Sequence, residues 1–163
     1  ALSNLQAYLG QHPEDREAFN QIGKVYLLND QPDEAKNAFR RAMPPSVLNN
    51  YATVLKKQGR NEEAEQFFKL ALELNPGDSD VLFNLGNLYN TANNLNQARN
   101  SYEKALELRP DFAEAHYNLG LVCSKMGDRD NAVSHLERFL QLSPAARNAD
   151  AIRSYLKKLK DAA

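Results

Sequence analysis

FNLGNLY at 83–89 and YNLGLVC at 117–123 repeat one phrase, in which a ring, an asparagine, a leucine and a glycine follow one another, 34 positions apart. The interval extends well beyond the phrase. Ala64, Ala98 and Ala132 keep it, as do Leu72, Leu106 and Leu140, and then Pro76, Pro110 and Pro144. Phe68, Tyr102 and Leu136 add a column of large side chains, and Ala52, Gly86 and Gly120 a column of small ones. Columns of different chemistry that share one step mark a structural repeat, and a step between about 20 and 50 residues marks stacked supersecondary units.

Inside each unit the apolar residues recur at helical spacing, as in Leu82, Leu85, Leu88 and Tyr89, then Ala98, Tyr102, Ala105 and Leu106. Each unit therefore reads as two amphipathic helices. Asp30, Gly59, Asn93 or Gly127 stands between them, residue types that tolerate the left-handed conformation where the chain reverses. Pro76, Pro110 and Pro144 end the second helices, and Asp111 with Glu114 reads as a capping box for the next first helix. Gly23, Ala52, Gly86 and Gly120 fall where paired helices cross closely, with Ala35, Ala64, Ala98 and Ala132 expected on the opposing helix.

The phrases at 83–89 and 117–123, with Ala98, Tyr102, Ala105, Pro110, Ala132 and Pro144, resemble the tetratricopeptide repeat family over nearly the whole chain. The resemblance implies an all-α, right-handed superhelical solenoid of antiparallel helix pairs. Residues 1–13 read as the second helix of an incomplete repeat, because Ala1, Leu5, Tyr8 and Pro13 fall one period before Ala35, Phe39, Ala42 and Val47, and the array is expected to continue upstream. Full units are expected at 16–44, 45–78, 79–112 and 113–146, in one solenoid domain. A final helix over 147–161 sets Ile152, Tyr155, Leu156 and Leu159 on one face and Lys157, Lys158 and Lys160 on the other, the pattern of a terminal cap.

Two positions depart from the pattern. Gly23 to Ala52 spans 29 residues, and the missing five fall near Met43-Pro44-Pro45, where the angle between units should change. Phe139 stands where Ala71 and Ala105 stand in earlier units, which should alter how the final helix docks.

Composition narrows the function. Lysine and arginine total 20 against 21 acidic residues, so no net field draws the chain to nucleic acid or to anionic membranes. Apolar runs fall short of the roughly 18 residues that a spanning helix needs, which argues against membrane insertion. A soluble setting is expected, cytoplasm or bacterial periplasm, and the single Cys123 does not choose between them. His12, His116 and His135 form no metal or catalytic spacing with Cys123, paired carboxylates such as Glu62-Glu63 read as solvated helix surface, and there is no glycine-rich phosphate loop. The reading is a non-enzyme with no catalytic residue, no metal and no cofactor.

In the family resembled, first helices line the concave face, and their outward stripe supplies the candidate contacts. That stripe is Asn20, Gln21 and Lys24; then Asn49, Asn50, Thr53 and Lys57; then Phe83, Asn84, Asn87 and Asn90; then Tyr117, Asn118, Leu121 and Lys125. Asn50, Asn84 and Asn118 share one repeat position, with Gln21 in the same place of the first unit, and are expected to form a ladder. An amide offers donor and acceptor together, so a row of them can hold the backbone of an extended peptide whatever its sequence. The arrangement resembles the tetratricopeptide region of O-linked N-acetylglucosamine transferases, where groove asparagines bind peptide backbone. The competing reading is that these amides bond a neighbouring helix and stabilise the stack. Phe83 and Tyr117 could anchor an apolar side chain or pack between helices, and Lys24, Lys57 and Lys125 could attract an acidic group or stay solvated. The lysine, asparagine and arginine set of a carboxylate clamp is incomplete, which disfavours a chaperone C-terminal tail. The expected partner is a protein or peptide segment. Self-assembly into homo-oligomers and service as a recruiting domain of a larger enzyme are the alternatives.

Overall fold

The computed structural model describes residues 2–29 and 31–161. Among them there are ten α-helices and no strand: α1 (Leu2–Gln11), α2 (Arg16–Leu28), α3 (Pro32–Ala42), α4 (Pro45–Lys57), α5 (Asn61–Leu74), α6 (Ser79–Thr91), α7 (Leu95–Leu108), α8 (Ala113–Lys125), α9 (Arg129–Leu142) and α10 (Ala149–Asp161). They form two compact units, Ala1–Pro76 and Gly77–Ala163. Asp30, expected at the reversal of the first full repeat, and Ala1, expected in the leading helix, lie outside the described residues.

Turn chemistry sets where the helices stop. Gly59 and Gly127 both adopt φ 78° and Asn93 adopts φ 59°, so all three lie in the left-handed region that the sequence assigns to the reversals. α5, α7 and α9 each end two residues ahead of a proline, at Leu74, Leu108 and Leu142. Side-chain caps hold some helix starts. The Asp15 carboxylate accepts from Ala18 N at 3.0 Å, and Asp78 accepts from Asp80 N and Val81 N, each at 3.1 Å. The capping box expected from Asp111 and Glu114 does not form. Phe112 occupies the cap position of α8 and makes no side-chain cap bond. Its ring instead packs 4.7 Å from that of Phe83, under the Arg109 guanidinium at 3.5 Å. Apolar and cation–π packing hold this junction, where an aspartate holds the corresponding one at Asp78.

In the first unit α2 packs on α3 and α4 on α5, with α1 against α2. Its core includes Phe19, Ile22, Phe39, Leu48, Leu55, Phe67, Phe68 and Leu70. The five-residue deficit has a structural account: α3 has 11 residues against 14 in α5, and Met43-Pro44 is a two-residue junction where Asn75 to Asp78 supplies four. Pro45 opens α4 at the first helical position, where its missing donor costs nothing.

In the second unit α6 packs on α7, α8 on α9, and α7 on α8, with α10 against α9. Val81, Tyr102, Leu119, Val122 and Leu136 are fully buried, each such side chain worth about 1.5–3 kcal/mol on removal from water. The last helix covers an apolar flank. Ile152 and Leu156 bury against Leu136 and Phe139, with Tyr117, Leu121, Tyr155 and Leu159 packed at the margin. Phe139 is thus part of the surface on which α10 docks. Lys157, Lys158 and Lys160 are exposed, and Lys160 pairs with Glu137 at 2.6 Å.

The small residues at the helix crossings meet large ones. A Cβ on Gly86 would lie 2.6 Å from Tyr102 Cε1, on Gly23 2.7 Å from Phe39 Cζ, and on Gly120 2.7 Å from Leu136 Cγ. The sequence set these glycines opposite the alanine column; in the structure they face the large-residue column, while Ala64, Ala98 and Ala132 are fully buried. Gly86→Leu therefore forces the α6–α7 pair apart. Overpacking of this kind costs about 1–3 kcal/mol, or roughly 3–10 °C in Tm for a chain of this size. Gly10→Ala, with nothing within 4 Å of the added carbon, should leave Tm unchanged or slightly raised. Thermal melts followed by circular dichroism check the pair, and equal melting of both variants contradicts the crossing.

Candidate functional site

The second unit gathers several of the candidate residues into one hydrogen-bonded cluster. Asn87 and Asn90 lie one turn apart on α6, and Asn118 lies on α8. The Tyr102 hydroxyl, arriving from α7 on a fully buried ring, donates to Asn87 Oδ1 at 2.7 Å. Asn118 Nδ2 donates to the same oxygen, also at 2.7 Å. The amides of Asn118 and Asn90 lie near enough to the phenolic oxygen to favour its charged form, and Lys125 Nζ donates to Asn90 Oδ1 at 2.9 Å. Burial pushes the Tyr102 pKa up, the two amides pulling more weakly the other way, so the group stays a neutral donor.

Tyr102 was not among the residues that the sequence singled out for the face. Its column reads as core, and the ring is core. The available signal was its hydroxyl: Phe68 and Leu136 hold the same column without one, and a buried phenol needs a partner. Asn118 reaches Asn87, 31 residues away on α6, a bond to a neighbouring helix of the kind that the competing, stack-bracing reading expects. Asn84 lines a groove of about 790 Å³ with Phe83, Asp80, Arg109 and Glu114. Arg109 pairs with Asp80 at 2.6 Å across its edge.

The two aromatic candidates pack against this chain. Phe83 contacts the rings of Phe112 and Tyr102 at 4.7 and 5.9 Å, and Tyr117 contacts Phe139 at 5.1 Å. Both remain partly accessible. Leu121 packs against the cluster under α10.

In the first unit the candidates are more dispersed. Gln21 Nε2 bonds Glu17 on its own helix at 2.6 Å, Thr53 Oγ1 bonds the Asn49 carbonyl at 2.9 Å, and Asn50 and Lys57 are exposed. Asn49 and Lys24 are half-buried. Asn20 Oδ1 is buried without a hydrogen-bond partner.

Models of the tetratricopeptide repeat match residues 17–43, 45–78, 67–100 and 113–146, and a TPR repeat model matches 86–127. The chain belongs to the tetratricopeptide repeat family. Comparison with curated proteins gives no match. Among solved structures the repeats are similar to YrrB, described as a TPR protein with an unusual peptide-binding site, at 23% identity and TM-score 0.65, covering 94% of this chain and 81% of that one. They are similar to MamA at 21% identity and TM-score 0.63, covering 88% and 86%. They are also similar to the first TPR of Spaghetti (RPAP3), bound to the HSP90 peptide SRMEEVD, at 21% identity and TM-score 0.66, covering 72% and 91%. These likenesses establish the fold.

In the last repeat Cys123 and His116 are buried and His135 is half-buried. Among the described residues no helix is long and apolar enough to cross a membrane, and no three His, Cys, Asp or Glu groups converge to hold a metal. Burial pushes the Cys123 thiol pKa up, the reverse of an activated nucleophile. His116 and His135 meet Nδ1 to Nδ1 at 3.0 Å, and His116 Nε2 lies 3.1 Å from the Pro110 carbonyl. That geometry suits one proton on each ring: His116 donates from Nε2 to the carbonyl and accepts at Nδ1 from His135. Burial lowers both pKa values; at His116 the Pro110 carbonyl opposes it and the Arg138 charge adds to it, and at His135 the nearby His116 and the Arg99 charge add to it while Glu103 and Asp128 oppose it.

Both rings are held neutral in the folded state, so the unfolded chain takes up more protons below the ordinary histidine value near 6.5. The stabilisation is complete above that pH and is lost as pH falls through the lowered values. The wild-type Tm should fall between pH 7 and pH 5, and the His116→Gln/His135→Gln double variant should show a smaller fall over the same interval. Equal slopes in calorimetry would contradict the pairing.

Proposed function

We propose that the chain is a protein-interaction scaffold that holds an extended peptide segment along the inner stripe of its first helices. The observation that carries the reading is the convergence of Asn87, Asn90 and Asn118 on one face of α6 and α8, in a pre-ordered cluster. A fixed amide loses no rotamer freedom when a ligand arrives, so each bond it makes to peptide backbone counts nearly in full. The adjoining groove, with Phe83 and Asn84 on its wall, gives a bound side chain somewhere to lie.

Family membership supports the reading, as do similar folds described with a peptide-binding site or a bound peptide. It is also the reading implied by the resemblance to the groove asparagines of O-linked N-acetylglucosamine transferases. The amides that brace the neighbouring helix here still have donor and acceptor capacity to spare, so the bracing and binding roles coexist. Asn50, in the first unit, is exposed.

Replacing Asn50, Asn84 and Asn118 together by alanine should lower affinity for a peptide selected from a library of capped heptapeptides by about tenfold or more, with little loss of helicity. Fluorescence anisotropy reads the affinity and circular dichroism the helicity. Undiminished binding by the triple variant rejects the proposal.

A further inference from the structure

The hydrogen bonds around Tyr102 fix which end of each amide is left for a ligand. Asn87 Oδ1 has both acceptor positions filled, by the Tyr102 hydroxyl and by Asn118 Nδ2. Asn118 Nδ2 is committed to Asn87 Oδ1, which leaves its carbonyl oxygen turned the other way. What the pair has left is a donor, Asn87 Nδ2, and an acceptor, Asn118 Oδ1. Among the described residues neither atom has a partner, and neither is a buried orphan.

We infer that Tyr102 is a positioning residue for ligand recognition: its hydroxyl locks the two amides so that this face of α6 and α8 offers one N–H donor beside one carbonyl acceptor. That pattern is the complement of a single backbone peptide unit, whose C=O takes the Asn87 donor and whose N–H meets the Asn118 acceptor. A carboxylate suits it poorly, because one of its oxygens would face Asn118 Oδ1. The site therefore selects main-chain amide in the interior of a segment over a free C-terminus. Without the hydroxyl the pair is held by the Asn118–Asn87 bond alone, and an Asn87 that flips presents oxygen beside oxygen.

The local sequence agrees with this role. Phe39, Phe68 and Leu136 fill the same repeat position as Tyr102 with no polar atom, so the column does not need a hydroxyl for packing. Lys125, bonded to Asn90 Oδ1, holds the carbonyl end of the third amide beside the cluster.

The inference rests on the peptide-binding reading, and the test separates the two. The probe is the tightest capped heptapeptide from the library, together with the same peptide N-methylated at each backbone nitrogen in turn. Wild-type protein should show one nitrogen at which methylation weakens binding about tenfold. Tyr102→Phe should weaken the parent peptide about fivefold and reduce that methylation penalty to less than about twofold. A merely structural loss would lower affinity without erasing the position-specific penalty. Asn87→Asp keeps an inward acceptor for Tyr102 and Asn118 but replaces the outward donor with oxygen, so it should bind the parent peptide at least about tenfold more weakly while melting like wild type. Tyr102→Phe with an unchanged affinity and an unchanged methylation profile overturns the positioning role and leaves the peptide-binding reading standing. Failure of wild-type protein to bind any member of the library overturns both.

Discussion

The missing side chain at Gly86 is the constraint on which the second unit turns. With no Cβ there, the Tyr102 ring lies against the backbone of α6 at a distance that would put it 2.6 Å from an added carbon. That approach fixes how closely α6 and α7 pack. It also lets a ring rooted in the core carry its hydroxyl across the helix to Asn87 and Asn90. One glycine therefore serves the fold and the face together, because the same approach that closes the helix pair delivers the polar atom that organises the amides.

The other repeats use the same crossing without that consequence. Gly23 meets Phe39 and Gly120 meets Leu136, both apolar to the tip. Packing is satisfied in each case, yet no hydroxyl emerges beside the first helix. The polar cluster is accordingly particular to the α6–α7–α8 region, and the neighbouring apolar contacts give it a rigid base. Phe83 packs on Phe112 beneath Arg109, and Tyr117 and Leu121 rest on the surface that α10 covers. A buried network repays its desolvation when every member is partnered, and here the inward-facing atoms are, while the outward ones meet solvent.

Much of the fold could be read from the residues because its signals are local or periodic. A 34-residue step, prolines two residues past the helix ends and left-handed turns at Gly59, Asn93 and Gly127 each depend on backbone geometry that sequence encodes directly. The capping box at Asp111 and Glu114 failed for a reason that no local pattern carries: Phe112 is drawn to the Phe83 ring, and the helix start follows it. The face was legible only in part. Repeat alignment identifies Asn87, Asn90 and Asn118 as facing the same way, but it pairs like with like. The actual partner of Asn118 is set by the offset between successive helices, which is a three-dimensional quantity. Tyr102 escaped for a related reason, since its ring belongs to the core and only its terminal atom belongs to the face.

The central claim is that the amides on α6 and α8 form the surface that ligand touches. The most direct measurement is the side-chain NH₂ spectrum of ¹⁵N-asparagine-labelled protein, recorded as a capped heptapeptide is titrated in. The Asn87 and Asn118 resonances should move first and furthest, while those of Asn96 and Asn100, exposed on α7, stay in place. Shifts concentrated at Asn96 and Asn100 with Asn87 and Asn118 unmoved would contradict it.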